Sequence, residues 1–165
     1  RSIEWLQADM RVLEDVPTTD AVTLFSDSLC YLTDFEDVVS VFEAVYDHLE
    51  EGGIFLFDVH SLYQMQEVFP GYQYHFVEDD FAFLWQSYEL DEPGSVEHVI
   101  DMYIKQEDGN LYEHFQEVHE EQTFPIEMYE AALEMVGFTD IKVKADFGQS
   151  QVQETSPRWF FQAVK

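Results

Sequence analysis

Residues 20–61, DAVTLFSDSLCYLTDFEDVVSVFEAVYDHLEEGGIFLFDVHS, decide how this chain folds. Residues 20–25 form a compact apolar run rich in β-branched side chains, the mark of a strand buried on both faces. The run breaks on Ser26, Asp27 and Ser28. Beyond Cys30, Thr33 and Glu36 are spaced as a capping-box pair. Phe35, Val38, Val39, Phe42, Val45, Tyr46 and Leu49 then keep i, i+3, i+4, i+7 spacing, which lays one apolar stripe along a helix. Gly52 and Gly53 are placed to end that helix, since glycine takes the left-handed conformation at low cost. Residues 54–59, IFLFDV, read as a second buried strand. Strand, helix and strand with short joints predict a right-handed βαβ unit with parallel strands.

Working outward, residues 3–6 look like a short strand ending at Gln7 to Met10. Residues 72–121 change period. Segments 82–89, 96–105 and 111–121 mix polar and aromatic residues as antiparallel strands with one wet face do. Asp108-Gly109 between the last two is a strong hairpin signal. This region reads as an inserted antiparallel β-ribbon. The α/β pattern then returns. Pro125 suits the first turn of a helix, Met128, Tyr129, Ala132, Leu133 and Val136 give its stripe, and Gly137 stops it. Residues 141–143 and 158–164 close the chain as strands. The expected fold is a single α/β domain over residues 1–165: a Rossmann-like, mostly parallel sheet flanked by helices, with the ribbon inserted.

Composition sets the limits. The 165 residues are 46% apolar and 16% aromatic, enough to build a real core. No apolar run reaches the ~18 residues of a membrane span, so no membrane role is expected, and no signal peptide is visible. Seven Lys+Arg against 35 Asp+Glu give a net charge of −28, which repels a polyanion such as nucleic acid and favours a small or cationic partner. Cys30 is the only cysteine; it excludes an intramolecular disulfide and suits a reducing, cytoplasmic setting. The six histidines show no metal-ligand spacing on a helix, and His114 and His119, five apart in a strand, face opposite sides. No metal site is expected on those grounds.

Ligands of open α/β sheets dock outside the carboxyl ends of the strands. Three sets of residues follow such strands: Asp9 and Met10, Ser26 to Tyr31, and Asp58 to Ser61. Asp9 can accept a hydrogen bond from an exocyclic amine and Met10 can offer an amide donor and a soft contact, or Asp9 simply turns the chain. Ser26, Asp27 and Ser28 are small and polar, fit to line a site or merely to turn. Asp58 faces a ligand or caps a turn. Cys30 has no neighbouring histidine and reads as packing. Asp146 and Arg158 read as a surface pair without a role.

Four segments resemble the class I S-adenosylmethionine-dependent methyltransferases, in particular the small bacterial kind with a β-insertion. WLQADMRVLE is similar to that family's third strand and acidic turn, and residues 20–61 to its fourth strand, helix, glycine turn and fifth strand. HEEQTFPIEMYEAALEMVGFTDIKV resembles the segment of its last helix, and SPRWFFQAVK its final strand. Leu49-Glu50-Glu51-Gly52-Gly53 departs from the family's L-x-P-G-G turn at Glu51. The resemblance implies S-adenosylmethionine as cofactor and transfer of its methyl group to a small-molecule acceptor by direct displacement. It implies that Asp9, Met10, Ser26, Asp27 and Ser28 contact the cofactor and that Tyr31, Asp58, Trp85 and Tyr103 contact the substrate. It makes residues 72–121 a lid whose aromatic and acidic side chains favour an amine acceptor, and His119 a base.

The family's glycine-rich loop and its ribose-binding acid are not found in the sequence and are expected to precede residue 1. The chain is then the carboxyl-terminal two thirds of the enzyme, inactive alone. Its sheet is incomplete, with an open edge that a homo-oligomer could cover. Two alternatives stand beside this reading: a non-catalytic binding or assembly module with the same fold, and another doubly wound enzyme such as a nucleotide-binding oxidoreductase.

Overall fold

The computed structural model describes residues 3–13, 16–107 and 111–165; the Asp108-Gly109 turn lies outside them. In chain order the elements are β1 (Thr19–Leu24), α1 (Phe35–His48), β2 (Leu49–His60), β3 (Gln73–Val77), β4 (Phe81–Glu89), β5 (Ser95–Lys105), β6 (Tyr112–Gln122), α2 (Ile126–Val136), β7 (Thr139–Lys144) and β8 (Arg158–Val164). Two four-stranded sheets result, ordered β1-β2-β8-β7 and β3-β4-β5-β6.

The βαβ unit forms as its pattern requires. β1 and β2 pair in parallel, Val22 beside Phe55 and Leu24 beside Phe57, with α1 crossing between them. The first sheet is not mostly parallel, however. β8 runs antiparallel to both of its neighbours, so two of the three pairings are antiparallel. The chain returns from β7 to β8 without a crossover helix, and adjacent strands joined that way must run in opposite directions.

Three local expectations shift. Residues 3–6 form no strand, and Ile3 and Trp5 are 77% and 88% exposed. A strand needs a ladder partner, and among the described residues none flanks them. The cap of α1 is Asp34 rather than Thr33: Asp34 is extended, and its Oδ1 accepts the Glu36 N–H at 2.9 Å. The helix ends at His48, before the glycine pair. Gly52, at φ +78°, instead turns the chain so that its N–H donates to the Lys165 carbonyl while Gly53 accepts from the Lys165 N–H. Pro125 stands one residue ahead of α2 and Gly137 ends it in the left-handed region.

Alternation sorts the first sheet into two faces. Phe55, Phe57, Phe161 and Ala163 point to the layer of α1 and α2, where they meet Phe42, Tyr129 and Leu133, all essentially buried. Phe57 and Phe161 stack at 4.6 Å between ring centroids, within 3° of parallel. The opposite face is open. Leu56, Phe160, Phe25 and Phe147 line a groove of about 720 Å³ there, and β1 is an edge strand.

The second sheet is joined to the first at its base. The buried Thr123 hydroxyl donates to the His60 carbonyl at 2.7 Å, and the Thr123 N–H donates to the Gly94 carbonyl at 2.9 Å. Tyr129 of α2 accepts the Phe124 N–H. At its outer edge β3 is exposed along its whole length. Among the described residues no helix is long and apolar enough to cross a membrane.

Candidate functional site

The break after Phe25 is a strained turn. Ser26 and Asp27 take left-handed φ values of 62° and 53°, a conformation that costs a residue with a Cβ roughly 1 kcal/mol or more. What holds it is Asp58, near the carboxyl end of β2 and 2% exposed. Its carboxylate accepts the Ser26 N–H at 2.9 Å and the Asp27 N–H at 3.3 Å. Arg158, at the start of β8, bonds the Asp58 carboxylate and lies 2.7 Å from Asp27 Oδ1. Parallel β1 and antiparallel β8 flank β2, so their opposite termini meet at this edge. Arg158, to which the sequence assigned no role, is therefore the central cation of a half-buried Asp27–Arg158–Asp58 group.

The second sheet supplies the facing wall. Phe83 and Trp85 on β4, His98 and Ile100 on β5, and His119 and Glu121 on β6 share one face, since each pair is two residues apart. Ser87 lies opposite His98, which lies opposite His119. With Asp27, Tyr31, His60 and Phe69 these residues enclose a cavity of about 230 Å³.

Its protonation states follow from the contacts. Burial alone would raise Asp27, but the His60 ring and the Arg158 guanidinium override it and hold the carboxyl at about 2. Burial, reinforced by the Asp27 charge, pushes Glu121 up to about 7, with Arg158 and the Tyr31 hydroxyl pulling the other way. Burial, with His60 and His119 nearby, lowers His98 to about 4, so it is neutral at pH 7. Its tautomer is fixed by geometry. Trp85 Nε1, a donor only, lies 3.1 Å from His98 Nδ1, so that nitrogen accepts and Nε2 carries the hydrogen. His98 Nε2 lies 4.0 Å from Glu121 Oε2. Glu121 is 4% exposed, yet its Oε2 has no hydrogen-bond partner, and neither does His60 Nδ1.

Donor atoms of Asp27, His60 and Glu121 lie within 4.8 Å of one another, a spacing one cation can bridge. Two features turn the trio away from a metal. Arg158 already sits on Asp27, and the unpartnered His60 Nδ1 lacks the support that a ligating imidazole ordinarily has on its far nitrogen.

The other residues singled out in the sequence are distributed as follows. Ser28 opens a short 3₁₀ turn and donates to the Phe25 carbonyl. Tyr31 closes that turn, and its hydroxyl lies 3.2 Å from His119 Nδ1. The other His119 nitrogen lies 3.2 Å from Glu117. Asp9 is exposed and clasped by Arg11, which holds its carboxyl at about 2 and also bridges to Asp37 of α1. Met10 packs on the edge of the core. Tyr103 stacks on His114 at 4.5 Å, away from the cavity. Cys30 is fully buried, and burial pushes its thiol far up, which removes it as a nucleophile. Sequence reasoning took in His60 only within the set Asp58 to Ser61 and passed over His98 and Glu121, for which the signal available was the two-residue alternation on β5 and β6.

No protein-family model matches the chain. It is 38% identical over 164 residues, 99% of its length, to a protein of Geobacillus sp. (strain WCH70) provisionally named a methyltransferase. It is 38% identical, over the same span, to YqeM of Bacillus subtilis (strain 168), which carries the same provisional name. The chain spans 66% of the length of each. Among solved structures, an S-adenosylmethionine-dependent methyltransferase from Clostridium acetobutylicum ATCC 824 superposes with a TM-score of 0.84 at 26% identity, over 95% of this chain and 62% of that one.

Proposed function

The chain belongs to the S-adenosylmethionine-dependent methyltransferases, and from that premise we propose that its protein transfers a methyl group to a small molecule at the edge where β1, β2 and β8 meet. The observation that carries this reading is the Ser26–Asp27 turn: a strained, hydrogen-bonded loop at the carboxyl end of a parallel strand, opening on a cavity with an acidic floor. Strain held in place by a half-buried ion pair is a mark of a binding site rather than of a simple turn.

S-adenosylmethionine supplies a methyl group on a cationic sulfonium, ready for direct displacement by an acceptor. The residues fit such a group. Asp27 and Asp58 carry two negative charges against one on Arg158, so the edge keeps an excess of negative charge for a cation. Ser26, Asp27 and Ser28 line the cofactor's side of the edge, and Asp9 and Met10 take its adenine. Tyr31 and Trp85 border the acceptor cavity, with Asp58 fixing the turn beneath and Tyr103 further out on the same sheet. His119, joined to Tyr31, borders the same cavity. Residues 72–121 shield the site from water, which favours displacement over hydrolysis.

Isothermal titration of S-adenosylhomocysteine into the full-length gene product tests the reading. Binding is expected, weakened at least tenfold by Asp27→Asn. Absence of binding to the wild-type protein would overturn the proposal in favour of a binding module that keeps the fold.

A further inference from the structure

Glu121 is the most buried acid facing the 230 Å³ cavity, and its Oε2 takes no hydrogen bond, with His60 Nε2 at 3.8 Å and His98 Nε2 at 4.0 Å too far to donate one. An unpartnered buried carboxylate oxygen is costly, and a native fold keeps one where a ligand completes it. Three further features define that ligand. Tyr31, Phe69, Phe83 and Trp85 form aromatic walls, which attract a cation through their faces. The fixed His98 Nε2–H presents a donor on the same side, suited to a neighbouring oxygen. Arg158, the only guanidinium at the edge among the described residues, is held by Asp27 and Asp58 and makes no ion pair with Glu121.

We propose that this cavity is the acceptor subsite for a protonated primary or secondary amine, and that Glu121 receives the proton the amine must lose before it can accept a methyl group. The inference rests on the methyltransferase reading and names its substrate class. The step balances: the amine's N–H bond breaks, an O–H bond forms on the Glu121 carboxylate, and the nitrogen keeps the electron pair as a free lone pair. Glu121 starts ionised, and the proton passes to water after turnover. His119 is less suited to this step, because its two ring nitrogens already face Tyr31 and Glu117 and it lies nearer the solvent.

Two probes of one shape separate charge from fit: cyclohexylammonium and cyclohexanol, titrated into the full-length protein at pH 8. The ammonium is expected to bind at least tenfold more tightly. Glu121→Gln, which keeps shape and removes charge, is expected to bring the two within twofold. Equal binding by the wild-type protein, or a tenfold preference surviving in Glu121→Gln, would overturn the proposal.

Should that variant fail to fold, the wild-type protein still decides. Its preference must fall by at least tenfold between pH 8 and pH 5 as Glu121 takes up its proton, and a flat profile would overturn the assignment. Asp27, Tyr31, His60, His98 and His119 face the same cavity; Asp27 is held at about 2 and His98 at about 4, both below this range. The two readings fail separately. S-adenosylhomocysteine binding without amine preference removes only the amine subsite; amine preference without S-adenosylhomocysteine binding removes only the transferase.

Discussion

Glu121 sets recognition against stability. Its carboxyl titrates at about 7 in the folded chain against an ordinary 4.5. Between those values the unfolded chain has released a proton that the folded chain keeps, so stability falls as pH rises through the window. Glu121→Gln removes that penalty. The variant is expected to match the wild-type protein at pH 4.5 and to exceed it by roughly 1–3 kcal/mol at pH 8, read from urea unfolding at both pH values. No gain at pH 8 would show that the carboxylate is not held against its preference. Asp27 works in the other direction. Its carboxyl is depressed to about 2, so its contribution is complete above the ordinary 3.8 and is lost as pH falls through 2. That acidic window does not overlap the one used for Glu121.

At the scale of elements, periodicity carried far. The stripe that begins at Phe35 located α1, and segment 158–164 coincides with β8. What periodicity lacks is direction: it says that β8 is a strand, not that it runs against β2 and β7. It also places caps only to within a residue, which is why Asp34 replaces Thr33. The polar turn at Ser26, Asp27 and Ser28 was legible because it interrupts an apolar run. The approach of Glu121 to Asp27 and His60 was not, because residues 94 and 61 positions apart in the chain meet only through sheet register. The same level holds the seam at Gly94. A Cβ there would lie 2.6 Å from the Thr123 carbonyl oxygen, and the residue has φ +77°. Gly94→Ala is expected to cost about 2 kcal/mol or more, seen as a lower urea midpoint. An unchanged midpoint would show that the backbone is not tightly packed at the base of the β5–β6 pair.

The whole molecule is two sheets of unequal support. The first has α1 and α2 on one face and an open groove on the other; the second is a four-stranded antiparallel sheet with Thr123 at its base. Charge is equally uneven in its effect: with 35 acids against seven bases, the protein repels copies of itself most strongly in dilute salt. The join at Thr123 has a consequence in time as well as in space. The β5–β6 ladder begins beside it, at Ser95 and Gln122, and runs out to Lys105 and Tyr112. Opening must therefore start at the far end and travel inward. Amide deuterium uptake is expected within seconds near Ile104 and Glu113 and at least a hundredfold more slowly near His98 and His119. The sheet would then breathe from its tip, and the acceptor cavity, lying near the anchored end, would keep its shape while the rest frays.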